Sequence, residues 1–210
     1  MRTYAYIDGF NLYYGALKDT AFKWLDLGVL IPLMLGHKHD VACIKYFTAK
    51  VKVSETDPRQ SERQETYLRA LREPREGIPP VEIHFGHFQR RSTRMPRSPF
   101  GTGWVEVIKT EEKGSDVNLA VHLLNDAWLD AYECAVVVSN DSDLAEAMRL
   151  ARGRGKVIGF IPPAMKRSRR PSQVLRQHCD FVRGLRRHHL ERAQMPATIS
   201  GTDLHKPPTW

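Results

Sequence analysis

The chain is short of several things that decide what a protein can be. It has 3 cysteines in 210 residues: Cys43, Cys134 and Cys179, far apart and without C-x-x-C spacing. Such sparse cysteine argues against a disulfide framework and a zinc site, and for a reducing compartment. No apolar run approaches the length of a membrane span. The N-terminal "MRTYAYID" lacks the apolar core of a secretory signal. A cytoplasmic protein without a membrane partner is expected. There is no G-x-x-x-x-G-K-[ST] loop and no G-x-S-x-G elbow, and "GRGKVIG" precedes a strand rather than following one. Nucleotide-driven chemistry and serine hydrolysis are thereby disfavoured. "HKHD" at His37–Asp40 and "RRHHLER" bring histidines without acids or cysteines at ligand spacing, and read as surface residues. No internal repeat is visible.

What is present is an ordinary globular composition, 41% hydrophobic and 27% charged, with a formal charge of +8. That is enough for a sizeable core without metal or disulfide staples. The positive balance favours a polyanionic partner, nucleic acid ahead of an anionic membrane.

Apolar strands alternate with helical periods. "TYAYID" reads as a buried strand, with a helix through "LYYGAL". "LGVLIPLMLG" reads as a short helix whose start Pro32 limits. "VACIKYFTAKV" and "VEIHFGHF" read as strands, with a helix between them opened by Asp57 and Pro58. "QRRSTRMPRSPFGTG" is basic, broken by Pro and Gly, and reads as a loop. "WVEVIKTEEK" reads as a returning strand. Val117, Ala120, Val121 and Leu124 fall on one helical face. "CAVVV" is an unbroken apolar run, as in the middle of a parallel sheet. A helix follows it, then the strand "KVIGFIPP", then a short helix and a further short strand. The class expected is α/β with a mostly parallel sheet. A domain is expected over 1–186. The polar segment 187–210 is expected to pack weakly or need a partner.

In an open parallel sheet, ligands bind beyond the carboxyl ends of the strands. Asp8 and Asn11 follow the first strand directly. Ser139, Asn140, Asp141 and Asp143 follow "CAVVV", and Asp116 opens the preceding helix. Four aspartates are therefore expected at one rim. Close like charges persist only with something cationic among them, and hard oxygen donors suit Mg²⁺ or Mn²⁺. Such ions can activate water against a phosphodiester. Each acid also has a plain alternative. Asp8 before Gly9 is a turn pair, Asp116 suits a helix dipole, and Asp143 stands at capping-box spacing from Glu146. Asp141 has the weakest structural excuse.

"YIDGFNLYYG", "EEKGSDVNLAVHLL" and "VVVSNDSDLAEAMRLARGRGKVIG" resemble the NYN family, a branch of the PIN-like nucleases. The blocks occur in the family's order and reach to about Gly159. The resemblance implies a three-layer α/β/α PIN-like sandwich and a metal-dependent ribonuclease. It places Asp8, Asp116, Asp141 and Asp143 as the acidic catalytic and metal-binding set, with Asn11 and Ser139 as polar partners. Leu144 stands where relatives often carry Phe.

The basic stretches lie outside these motifs. Arg90, Arg91 and Arg94, together with Lys166, Arg167, Arg169 and Arg170, are candidate phosphate contacts, and Lys113 either meets phosphate or offsets the acids. Phe100 is a candidate base stacker, whereas core packing suits Trp104 better. The function expected is Mg²⁺- or Mn²⁺-dependent hydrolysis of RNA, placed ahead of DNA. The alternative is a catalytically weak RNA-binding or regulatory module on the same scaffold. A phosphatase using Asp8 as nucleophile would want an acid two residues on, where Phe10 stands. A homo-oligomer stays open.

Overall fold

The computed structural model describes residues 1–53, 57–99, 101–165 and 170–210. At its centre lies β1 (Arg2–Asp8), paired in parallel with β2 (Asp40–Thr48) on one side and β6 (Cys134–Val138) on the other. Beyond β2 comes β3 (Val81–Phe85); beyond β6 come β7 (Val157–Phe160) and β8 (Phe181–Val182). The six strands run in the order β3-β2-β1-β6-β7-β8, all parallel.

Alternation along the central strands feeds two cores. Ala5, Ile7, Cys134, Val136 and Val138 enter one, and Tyr6, Ala135 and Val137 the other. Successive side chains of a strand point to opposite faces, so a run apolar at every position is covered on both sides. The first face is covered by α2 (Leu27–Leu35), α3 (Gln60–Arg72) and α7 (Arg187–Arg192), through residues such as Ile31, Leu68 and Leu190. The second is covered by α4 (Ser115–Trp128), α5 (Ala145–Gly153) and α6 (Gln173–Gln177), through Leu119, Met148 and Leu175. The result is the expected PIN-like α/β sandwich. Among the described residues no helix is long and apolar enough to cross a membrane.

Several local expectations need correction. Pro32 lies inside α2, five residues beyond its first residue, Leu27; the start is fixed by Asp26, whose side chain accepts the Val29 amide. The basic stretch expected as a loop is β4 (His87–Pro96), antiparallel to β5 (Trp104–Lys113) in a separate two-stranded ribbon. Pro96 closes that strand instead of interrupting it, so its missing N–H costs little. Trp104 is 60% exposed at the ribbon's end and not in a core.

The C-terminal segment is tied down as well. Leu190, Met195, Ile199 and Leu204 are buried in the first core. Backbone bonds from Asp26 to Ala193 (2.7 Å) and from Met195 to Trp24 (3.0 Å) pin it, and the Trp24 indole donates to Pro196. Its apolar residues follow neither a helical nor a strand period, because they are spaced by an irregular path over a ready-made core.

Candidate active site

Strand order reverses direction at the β1–β6 junction, the place where an open parallel sheet leaves a crevice at its carboxyl edge. Asp8 ends β1 there, and Ser139 to Asp143 follow β6. Asp8 is 2% exposed and caps a single helical turn, α1 (Gly9–Leu12), which runs into a π-helical turn over Tyr13–Leu17. Its Oδ1 accepts the Asn11 amide at 2.9 Å, and its Oδ2 accepts Asn11 Nδ2 at 2.7 Å and Ser139 Oγ at 2.9 Å. Ser139 Oγ also accepts the Asp141 amide at 3.1 Å. One hydroxyl thus ties the acid after β1 to the turn after β6. Gly9 is required by close approach: a Cβ there would stand 2.6 Å from the Tyr46 ring and 2.8 Å from the Phe47 carbonyl oxygen.

The charges feel one another. Burial raises the Asp8 carboxyl above its usual range and the Asp141 charge adds to this, while the bonds from Asn11 and Ser139 oppose it. Asp116, in the first turn of α4, is pushed up to about 6, first by burial and then by Asp8, Asp141, Glu112 and Asp143. The four expected aspartates therefore share one electrostatic site.

Capping falls differently from the spacing. Asp141, not Asp143, caps the short 3₁₀ turn Ser142–Leu144, accepting the Asp143 amide at 3.0 Å. Asp141 therefore has a structural role besides any catalytic one. Asp143 is exposed at the rim.

Glu112 is a fifth acid that the sequence reading missed. It is the penultimate residue of β5 and accepts the Ser115 amide at 3.1 Å, which serves the start of α4 where Gly114 has no capping side chain. A Cβ on Gly86 would meet Glu112 Oε1 and would stand 2.6 Å from the Lys113 carbonyl oxygen, so the bare glycine lets these segments meet. The acid three residues before a helix start was the available signal.

The donor set suits a hard divalent cation in kind: clustered carboxylates with one amide and one hydroxyl beside them. Among the described residues, however, no three His, Cys, Asp or Glu side chains already stand together as a metal-ligating group. A cation here would have to draw the rim acids inward around Asp8.

The basic candidates separate. Alternation on the ribbon puts Phe88, Arg90, Arg94, Trp104, Ile108 and Glu112 on one face and Arg91, Lys109, Glu111 and Lys113 on the other. The first face continues the acid rim, through Glu112 and through Phe88, whose ring centroid is 5.8 Å from that of Phe10. Arg90 and Arg94 are exposed and have no ion-pair partner among the described residues. Arg91 and Lys113 instead approach Glu111 (3.4 and 3.5 Å) on the opposite face, so neither offsets the rim acids. Arg170 is exposed, and its carbonyl accepts Asn140 Nδ2 at 3.0 Å, beside the rim. Lys166, Arg167, Arg169 and Phe100 lie outside the described residues. The two histidine clusters serve locally: His39 bonds Thr3, and His189 accepts the Arg186 amide.

A three-layer parallel α/β fold with an acid-lined crevice at its switch point defines a PIN-like protein. The sequence profile of the NYN domain matches residues 2–183, and the chain belongs to that family. It is 31% identical, over 240 aligned positions covering 100% of this chain and 75% of the relative, to 6-hydroxy-3-succinoylpyridine 3-monooxygenase HspA of Pseudomonas putida. Its fold is similar to the crystal structure of VPA0982 from Vibrio parahaemolyticus, a protein of unknown function. The TM-score is 0.51 and the identity 16%, over 89% of this chain and 93% of that one.

Proposed function

We propose that the acid rim is a Mg²⁺- or Mn²⁺-dependent site for RNA phosphodiester hydrolysis. The observation that carries this is the gathering of acids at the switch point: Ser139 ties Asp8 to the Asp141 turn, and Asp116 is raised by burial and by the carboxylates of Asp8, Asp141 and Asp143. Asp8, Asp116 and Asp141 would hold the ion, with Asp143 at the outer edge. A bound divalent ion supplies Lewis acidity and a nucleophilic water. Asn11 and Ser139 fix the Asp8 carboxylate. Arg90 and Arg94 extend from the rim as phosphate contacts along the ribbon, and Trp104 offers a stacking surface at its far end. A binding module without cleavage is the weaker form of the same reading.

The relative's name favours a second reading, oxygenation of a small pyridine derivative. One pair of assays separates the two. Purified chain is incubated with labelled RNA and DNA plus Mg²⁺, Mn²⁺ or chelator, and in parallel with a succinoylpyridine, NADH and oxygen on an oxygen electrode. Metal-dependent RNA cuts without oxygen uptake are expected. Substrate-dependent oxygen uptake without cuts would overturn the nuclease reading.

A further inference from the structure

We propose that the cavity beside the acid rim binds a small aromatic carboxylate. The proposal stands apart from RNA hydrolysis at the rim and deepens the second reading, a small pyridine derivative as ligand, by naming where such a molecule would sit. The cavity is partly open to solvent and offers about 280 Å³, with Gly9, next to Asp8, in its wall. Aromatic rings dominate it: Tyr13 and Tyr14 from the π-helical turn, and Trp210 from the C-terminal segment. The Tyr13 and Tyr14 centroids are 5.2 Å apart, edge to face, and Trp210 packs on Tyr67 at 5.7 Å. Such walls accept a flat ring by stacking or edge contact.

The same lining is cationic. Lys18, Lys23 and Arg63 face one acid among the described lining residues, Asp57. Arg63 is ion-paired with Asp57, which leaves the two lysines in surplus among the described lining residues. The Lys18 ammonium lies 5.3 Å from the Tyr14 centroid. Lys23 is half-buried and has no carboxylate partner among the described residues. An ammonium held at an aromatic wall suits an anionic group attached to a ring.

Size favours a small acid over a nucleotide of an RNA strand. A cavity of about 150 Å³ holds one benzene ring. The remaining volume takes a short acidic side chain, whereas a ribose and phosphate would lie largely outside these walls. The rings and the surplus lysines also line one enclosure, as a ligand carrying both groups requires.

The test is calorimetric titration of the full chain with 3-benzoylpropionate, its methyl ester, and uridine monophosphate. Saturable binding of the acid is expected, weakened about ten-fold in the ester and in Lys23→Ala, the loss of one charge-assisted contact. If Lys23→Ala does not fold, the comparison of acid with ester on the parent protein decides. Three results overturn the proposal: no saturable binding of the acid, equal affinity for acid and ester, or tighter binding of the nucleotide than of the acid.

Discussion

Replacing Asp116 with Asn removes a charge that the rim resists while keeping the side chain's shape. The carboxyl is raised from 3.8 to about 6 by burial and by its acidic neighbours. At about 1.4 kcal/mol per pH unit, that corresponds to roughly 3 kcal/mol of unfavourable ionisation. Water still reaches the half-buried side chain, so screening leaves about 1–1.5 kcal/mol. An acid in the first turn of α4 also gains about 0.5 kcal/mol from the helix dipole, which Asn forfeits. The net gain for Asp116→Asn is therefore about 0.5–1 kcal/mol. Its pH dependence follows from the direction of the shift. With the folded value above the unfolded one, the penalty is absent below pH 3.8, grows as pH rises, and is complete above about 6. In metal-free buffer at pH 7.5 the variant should melt about 1–4 °C above the parent, and at pH 4 the difference should vanish. A variant no more stable than the parent at pH 7.5, or equally more stable at both pH values, would refute electrostatic crowding at this rim.

Other perturbations probe separate parts. Arg90→Ala with Arg94→Ala should lower the salt slope of single-stranded RNA binding by about 1.4, two phosphate contacts' worth, in filter binding across a salt series, whereas Arg91→Ala should leave it unchanged. Lys45 is buried, with Nζ 2.6 Å from Asp126, which also accepts the Tyr6 hydroxyl at 2.7 Å. Lys45→Ala leaves that acid uncompensated and should cost about 3–5 kcal/mol in urea denaturation. Gly9→Ala drives a methyl group into Tyr46 and the Phe47 carbonyl, and should cost about 1–3 kcal/mol by the same measurement.

Most of the central sheet was legible because its signal is local. "CAVVV" and "TYAYID" are apolar at nearly every position, as strands covered on both faces must be. Asp8, Asp141 and Asp143 followed from one topological rule, that residues just after parallel strands gather at the sheet's carboxyl edge. What was not legible depends on approach between distant segments. Glu112 joins the rim where bare Gly86, between β3 and β4, lies against the junction of β5 and α4, an approach between distant segments that leaves no mark in the sequence beyond the acid three residues before the helix. The cap on Asp141 in place of Asp143 reflects a one-turn 3₁₀ helix ahead of α5. The first strand of the ribbon, β4, looked like a loop because Pro and Gly punctuate that stretch, yet they fall at its closing end and in the connection to β5, which did read as a strand. The segment after Arg186 has no period because it is held by Trp24 and the first core.

The most direct measurement is cleavage of a labelled single-stranded RNA by the parent and Asp141→Asn proteins, side by side across a Mn²⁺ titration. Circular dichroism and RNA affinity would confirm that the variant is intact. The parent should cut with saturable dependence on Mn²⁺ and fall silent with chelator, while Asp141→Asn binds RNA and loses at least about 100-fold in rate, the scale of removing a group that acts in the transition state. Equal cutting by both proteins, or cutting indifferent to Mn²⁺ and chelator, would contradict a metal-dependent carboxylate site at the β1–β6 crevice.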